Sequence, residues 1–207
     1  EAAYELNVSG DSRVFIDLVG HDISTGEKIK NNGYIKIYNT EETSAKIKPS
    51  KEIENNGTMD LDTIFIVSAT DKNVITNAGN LILRKTTVQG KNGYAVDNVE
   101  NGAITSDQQS MIKSTNTYGL HNESTTFELI NGNVFGIHNE GTMTVSENAN
   151  VTNGTSTYAV NNQGTFNVNG GIISNEVNDS KEAEQLLDRL NTIISKVEEL
   201  KKKMTPE

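Results

Sequence analysis

Two histidines and one aspartate are the side chains best placed to do chemistry: His121, His138 and Asp97. Each stands directly before an Asn, in Val96-Asp97-Asn98, Leu120-His121-Asn122 and Ile137-His138-Asn139, and Asn161 holds the same place in Val160-Asn161-Asn162. If these triplets stack in register, two imidazoles lie about 5 Å apart with a carboxylate one step further, a set that could hold a metal ion. A solvent-facing pair lacking a third good ligand holds a metal weakly. Asp97, His121 and His138 are therefore read as ligand-binding residues, with no metal ion, cofactor or catalytic residue expected.

The register follows from a repeat. An aliphatic residue, a variable residue and Asn recur at Ile29-Lys30-Asn31, Ile53-Glu54-Asn55 and Ile75-Thr76-Asn77, and then in the four triplets above. Successive Asn residues are 24, 22, 21, 24, 17 and 23 positions apart. A period near 22 is that of a solenoid, in which each repeat is one coil stacked on the last.

Each Asn is followed by a turn and an alternating segment, as in Gly57-Thr58-Met59-Asp60-Leu61 and Gly164-Thr165-Phe166-Asn167-Val168. Gly in that turn is expected to supply a backbone conformation that a Cβ would resist. A further strand precedes each Asn, and a third apolar stretch lies between, so three strands and three turns make one coil of a parallel β-helix. The short interval before Asn139 implies that Phe127-Glu128-Leu129-Ile130 serves as a merged side. The Asn side chains are predicted to bond one another from coil to coil, because an amide buried at a bend needs partners.

Strand alternation places Tyr94, Tyr118, Phe135 and Tyr158 inward with Val96, Leu120, Ile137 and Val160. The same parity points Ala95, Gly119, Gly136 and Ala159 outward, as a bare stripe that could receive a helix or a neighbouring chain.

The predicted architecture is an all-β solenoid: a right-handed parallel β-helix of about seven coils with a C-terminal amphipathic α-helix. Residues 1–28 are expected to form an N-terminal β cap or partial coil, and 29–175 the β-helix. Residues 176–207 are read as the helix. There Asp179-Ser180-Lys181-Glu182 resembles a capping box, and Ala183, Leu187, Leu190, Ile194 and Val197 recur at helical spacing. Residues 183–200 could form a coiled coil and make the chain a homo-oligomer, or the helix could fold back onto the rod.

Composition sets limits on partners. The formal net charge of −10 opposes a nucleic-acid partner, which needs clustered Lys and Arg. The apolar fraction of 34% suits a rod with a single narrow core. No apolar run approaches the roughly 20 residues of a membrane span, so no membrane insertion is expected. Cysteine is absent, which excludes disulfides and thiolate metal sites.

Val14-Phe15-Ile16-Asp17-Leu18-Val19-Gly20-His21-Asp22-Ile23-Ser24 and the coil Tyr158-Ala159-Val160-Asn161-Asn162-Gln163-Gly164-Thr165-Phe166-Asn167-Val168 carry a family resemblance. Residues 14–175 resemble repetitive right-handed β-helix surface proteins of Gram-positive bacteria with low genomic GC content. The resemblance implies a non-catalytic adhesin or display module, extracellular on a bacterial cell surface, that binds a host or cell-surface protein or glycan.

Two other readings come from architecture. Parallel β-helices also serve polysaccharide lyases and hydrolases, whose chemistry needs paired carboxylates, or a base beside Ca²⁺-holding Asp residues. Here Asp60 aligns with Lys36 and Asp62 with Arg84, as expected of cross-coil ion pairs, and the Gly-His-Gly and Arg-x-Lys motifs of polygalacturonases are missing. A trimeric phage tail fibre fragment would also combine a solenoid with a coiled coil.

Overall fold

The computed structural model describes residues 5–41 and 43–179, together with Leu190, Ile193, Ile194, Lys196 and Val197. The described strands stack in parallel into a solenoid of about eight turns, one more than the Asn count implies.

One face is built from the repeated triplets. Nine three-residue strands lie side by side: Leu6–Val8, Ile29–Asn31, Ile53–Asn55, Ile75–Asn77, Val96–Asn98, Leu120–Asn122, Ile137–Asn139, Val160–Asn162 and Val177–Asp179. Aliphatic residue pairs with aliphatic residue and Asn with Asn, without a slip, from Ile29 to Asn162. The first and third residues of each repeated triplet turn inward and the middle one outward, as a two-residue period requires.

The inward Asn residues form the predicted ladder. Asn31 Nδ2 donates to Asn55 Oδ1 at 2.7 Å, and the same bond continues through Asn77, Asn98, Asn122 and Asn139 to Asn162, at 2.6 to 3.1 Å. The second amide hydrogen is also used: Asn55 donates to Asn80 O at 3.1 Å and Asn77 to Ala103 O at 3.1 Å. Six of these seven side chains are fully buried, and the ladder gives each of the seven a side-chain partner in an adjacent coil.

Two further faces complete each coil. On the second, Arg13–Asp17, Tyr34–Tyr38, Thr58–Asp62, Asn80–Arg84 and Ala103–Ser106 stack in order. On the third, Ile23–Thr25, Ala45–Pro49, Ile64–Val67, Thr87–Gly90 and Met111–Ser114 do the same. Between residues 127 and 152 these two sides run together, and they part again as Thr165–Asn169 and Ile172–Ser174. Phe127–Phe135 is one strand, so the expected merged side is present, and Thr142–Thr152 repeats the arrangement. One apolar core, to which all three faces contribute residues such as Ile35, Met59, Leu81, Ile112 and Leu120, fills the interior.

The turn glycines have a different cause from the one expected. A Cβ on Gly79 would lie 2.1 Å from Gly57 O, and one on Gly164 would lie 2.0 Å from Gly141 O, although neither glycine has a positive φ. Close approach of stacked backbones excludes a side chain there, rather than a left-handed conformation.

Both ends of the stack extend past the expected boundaries. Leu6–Val8, Arg13–Asp17 and Ile23–Thr25 pair in register with the next coil, so residues 6–25 supply all three strands of a coil where a β cap or partial coil was expected. Val177–Asp179 is a ninth strand on the Asn face, which places Asp179 in a sheet rather than in a helix-capping box. The remainder of the helix expected over 176–207, with the oligomer contact proposed for 183–200, lies almost wholly outside the described residues. Of it, Leu190, Ile193, Ile194, Lys196 and Val197 are helical and exposed.

The ladder makes a specific stability difference testable. Asn77→Ala removes the acceptor of Asn55 Nδ2 and the donor to Asn98 Oδ1 and Ala103 O, all within the buried stack. The expected loss is about 2–4 kcal/mol. Asn116→Ala, at an exposed corner where Asn116 bonds Asn92 at 2.5 Å, should change stability by less than about 0.5 kcal/mol. Urea unfolding midpoints of the two variants check this; equal effects would contradict the ladder's role.

Candidate functional site

The middle residues of the triplets form an outward column in which Asp97 pairs with His121, His121 with His138, and His138 with Asn161. The register is as the repeat implies. The surroundings are not, because His121 is buried, at 7% exposure.

The cover comes from aromatic rings. The Tyr94 ring stacks on His121 with centroids 4.6 Å apart and planes inclined by 19°. The Tyr118 ring lies 5.9 Å from that of His138. These tyrosines stand outside the core, half-buried, whereas Ala95, Gly119, Gly136 and Ala159 are buried. The inward placing of Tyr94 and Tyr118, and the outward placing of the small stripe, are thus reversed. In Ala95-Val96 and Gly119-Leu120 two successive residues are buried, so the chain turns a corner there and alternation does not carry across it. Small residues fill the inside of the corner, where a larger side chain would not fit.

The same corner varies in length, and the variation opens the column. Residues 91–95 connect Thr87–Gly90 to Val96–Asn98, and residues 115–119 make the next such turn. In the coil of His138 the turn is Gly136 alone, which accounts for most of the short 17-residue interval. Gly136 has φ +82°, and a Cβ on it would stand 2.9 Å from Ser156 Oγ and 3.0 Å from a Tyr118 ring carbon. With no turn of its own coil over His138, Tyr94 reaches across from two coils away, and its hydroxyl lies 2.9 Å from His138 Nδ1.

Both imidazoles are held through Nδ1. His121 Nδ1 lies 2.8 Å from Asp97 Oδ1, and Asn73 Nδ2 donates to Asp97 Oδ2 at 2.8 Å, which fixes the carboxylate. The two rings are 5.0 Å apart. Glu140 Oε1 is 3.5 Å from His138 Nε2 and 3.8 Å from His121 Nε2, and Glu123 Oε1 is 3.9 Å from His121 Nε2. His121 Nε2 is buried and has no hydrogen-bond partner.

Sequence reading brought Asp97, His121 and His138 together correctly but missed Glu123, Glu140, Tyr94 and Gln163. A signal for the glutamates was present: the triplet His-Asn-Glu occurs twice, at 121–123 and 138–140, in adjacent coils. Residues after the ladder Asn form their own column, so the second triplet carries Glu140 alongside His138.

The other acids are engaged elsewhere. Asp60, expected to be an exposed partner of Lys36, is buried; it pairs with Arg84, lies 4.0 Å from Lys36 Nζ and accepts from Tyr34 Oη at 3.3 Å. Arg84 thus reaches diagonally to Asp60 rather than to Asp62, its register partner, and Lys36 lies 3.6 Å from Asp62.

Compared with known proteins, the chain matches no family model, no curated protein and no solved structure.

The two imidazoles should titrate in a defined order. Burial acts to lower the pKa of His121, but the Asp97 hydrogen bond and the charges of Asp97, Glu123 and Glu140 outweigh it, and the net shift is upward. Burial and the neighbouring His121 lower that of His138, against Glu140 and Glu123. The Asp97–His121 contribution is therefore complete below the unfolded value of about 6.5 and is lost as pH rises through the raised folded value. For His138 the sign is opposite: the fold loses stability as pH falls from about 6.5 through the lowered folded value. NMR titration of the chelator-treated chain should show His138 losing its proton at lower pH than His121. Asp97→Asn should move His121 downward, and an unchanged His121 would contradict the pairing.

Proposed function

We propose that the chain is a non-catalytic binding module displayed on a bacterial cell surface, which takes a host or cell-surface glycan or protein on the face carrying Tyr94 and Tyr118. One observation carries this reading: these rings stand outside the core, half-buried, beside the polar column of Asp97, His121 and His138. Aromatic faces bordered by hydrogen-bonding groups suit sugar rings and the apolar parts of peptides. Rigid stacking supports the same reading, because a ladder-bonded rod keeps such a surface in place at little entropic cost on binding.

The reading as a bacterial surface protein also rests on the resemblance of residues 14–175 to β-helix surface proteins. Support for a non-catalytic role comes from the acids. Asp60 is clamped by cations and Asp97 is spent on His121 and Asn73, so neither is placed as one of a pair of carboxylates across a groove.

The test is binding of the purified chain to an array of glycans and host-surface proteins, with the bound glycans analysed by mass. Intact ligand should be retained, and retention should fall at least tenfold in Tyr94→Ala and Tyr118→Ala with the fold preserved by circular dichroism. Shortened or unsaturated glycans would instead identify a polysaccharide-cleaving enzyme. Retention unchanged in both variants would place the binding surface on another face.

A further inference from the structure

The geometry points to a divalent transition-metal site of the zinc type formed by His121 Nε2, His138 Nε2 and a Glu140 carboxylate oxygen, with Asp97 and Tyr94 orienting the two imidazoles. This goes beyond the binding role proposed above and does not depend on it.

Distance is the first support. One donor atom each from His121, His138 and Glu140 lies within 4.8 Å of the other two. Two of the separations, 3.5 and 3.8 Å, are already close to the roughly 3.3–3.4 Å between donors bound at about 2.0–2.1 Å around a tetrahedral ion. Small side-chain rotations bring all three onto one centre. Two imidazoles and a carboxylate suit zinc and its neighbours, and discriminate against magnesium and calcium, which take oxygen ligands.

The second support is the unpartnered nitrogen. A buried polar atom without a hydrogen bond costs on the order of 1–3 kcal/mol, and native proteins retain few of them. His121 Nε2 is such an atom, and it is directed toward the acidic side of the cluster, between Glu140 and Glu123. A bound ion would satisfy it. A proton competes for the same lone pair, so the protonated ring facing the two glutamates is the metal-free alternative.

The third support is the set of groups behind the ligands. Imidazoles that ligate metals commonly present the other ring nitrogen to an oxygen partner, which fixes tautomer and orientation. Here both Nδ1 atoms are so held, His121 by Asp97 at 2.8 Å and His138 by Tyr94 Oη at 2.9 Å. Gln163 Nε2 lies 3.2 Å from His138 Nε2, and an amide N–H there donates to a nitrogen lone pair. That assigns the proton of a neutral His138 to Nδ1 and leaves Nε2 free to ligate. Gln163 is exposed and can turn aside. The fourth position falls to water or to Glu123.

This revises the expectation that no metal binds, which took the histidines as solvent-facing and without a third ligand. His121 is buried, and the repeated His-Asn-Glu triplet supplies that ligand.

The experiment is calorimetric titration of the tag-free, chelator-treated chain with Zn²⁺ alone, alongside Co²⁺ as a spectroscopic probe. Expected are about one ion per chain, visible absorption of a tetrahedral Co²⁺ centre, and a rise in Tm with Zn²⁺. His138→Ala and Glu140→Gln should weaken Zn²⁺ binding at least tenfold, and Asp97→Asn by roughly 10–100-fold through lost orientation. Gln163→Ala should bind as well as the parent chain or better, and His21→Ala should bind unchanged. If His121→Ala fails to fold, paramagnetic broadening of the His121 and His138 ring signals by Co²⁺ in the parent chain locates the ion independently. Absence of stoichiometric binding, or binding that survives His138→Ala in a folded chain, would overturn the assignment.

Discussion

Everything in this molecule depends on one requirement: an amide buried in the core must find its partners within the core. Asn has two donors and an acceptor on its side chain, and a single buried Asn could not satisfy them against aliphatic neighbours. An Asn in the same place in the next coil can. Each ladder bond is modest alone, but a slip of one residue would turn the Asn outward and its outward neighbour inward. The ladder therefore fixes register as well as satisfying polarity, and register determines which outward side chains become neighbours. The stacked turn glycines impose the same register by steric exclusion, since only glycine allows successive backbones to approach this closely.

From register follows a property of the outer faces. Residues that share one outward position in successive coils are brought about 5 Å apart. Lys36 and Asp60 become neighbours in this way, as do His121 and His138. Inward positions are constrained by packing and by the ladder, whereas outward positions can change singly without disturbing either. A solenoid of this kind thus gathers chemistry by repetition along one column, where a globular fold must bring distant segments together.

The sequence made the fold legible because its two signals agreed: a period near 22 and alternation within each coil. The Asn ladder and the column of Asp97, His121 and His138 were readable from spacing. The merged side at 127–130 is present, but the short interval from which it was expected comes mostly from the turn at Gly136. The equally merged Thr142–Thr152 lies in a repeat of 23 residues. What was not readable lay at the corners. Alternation is a property of extended backbone, and it fails where Ala95-Val96 and Gly119-Leu120 bury two residues in succession, so Tyr94 and Tyr118 were placed on the wrong side. Burial of His121 followed from those rings and was invisible for the same reason. Asp60 shows the companion limit: register gave its neighbours, but not that Arg84 would reach it diagonally or that it would be buried under them.

The site arises where the repeat departs from itself. The turns before Val96, Leu120 and Val160 carry Tyr94, Tyr118 and Tyr158, whereas that before Ile137 is Gly136 alone. Where that turn is reduced to Gly136, Tyr94 spans two coils to reach His138. Regularity holds the imidazoles at their spacing, and the irregularity decides what lies above them. Asp97 and Tyr94 then occupy both Nδ1 atoms, so the rings have their second nitrogens toward Glu140. Neither part suffices alone: without the register the rings would not be adjacent, and without Tyr94 spanning the shortened coil His138 Nδ1 would lose its partner.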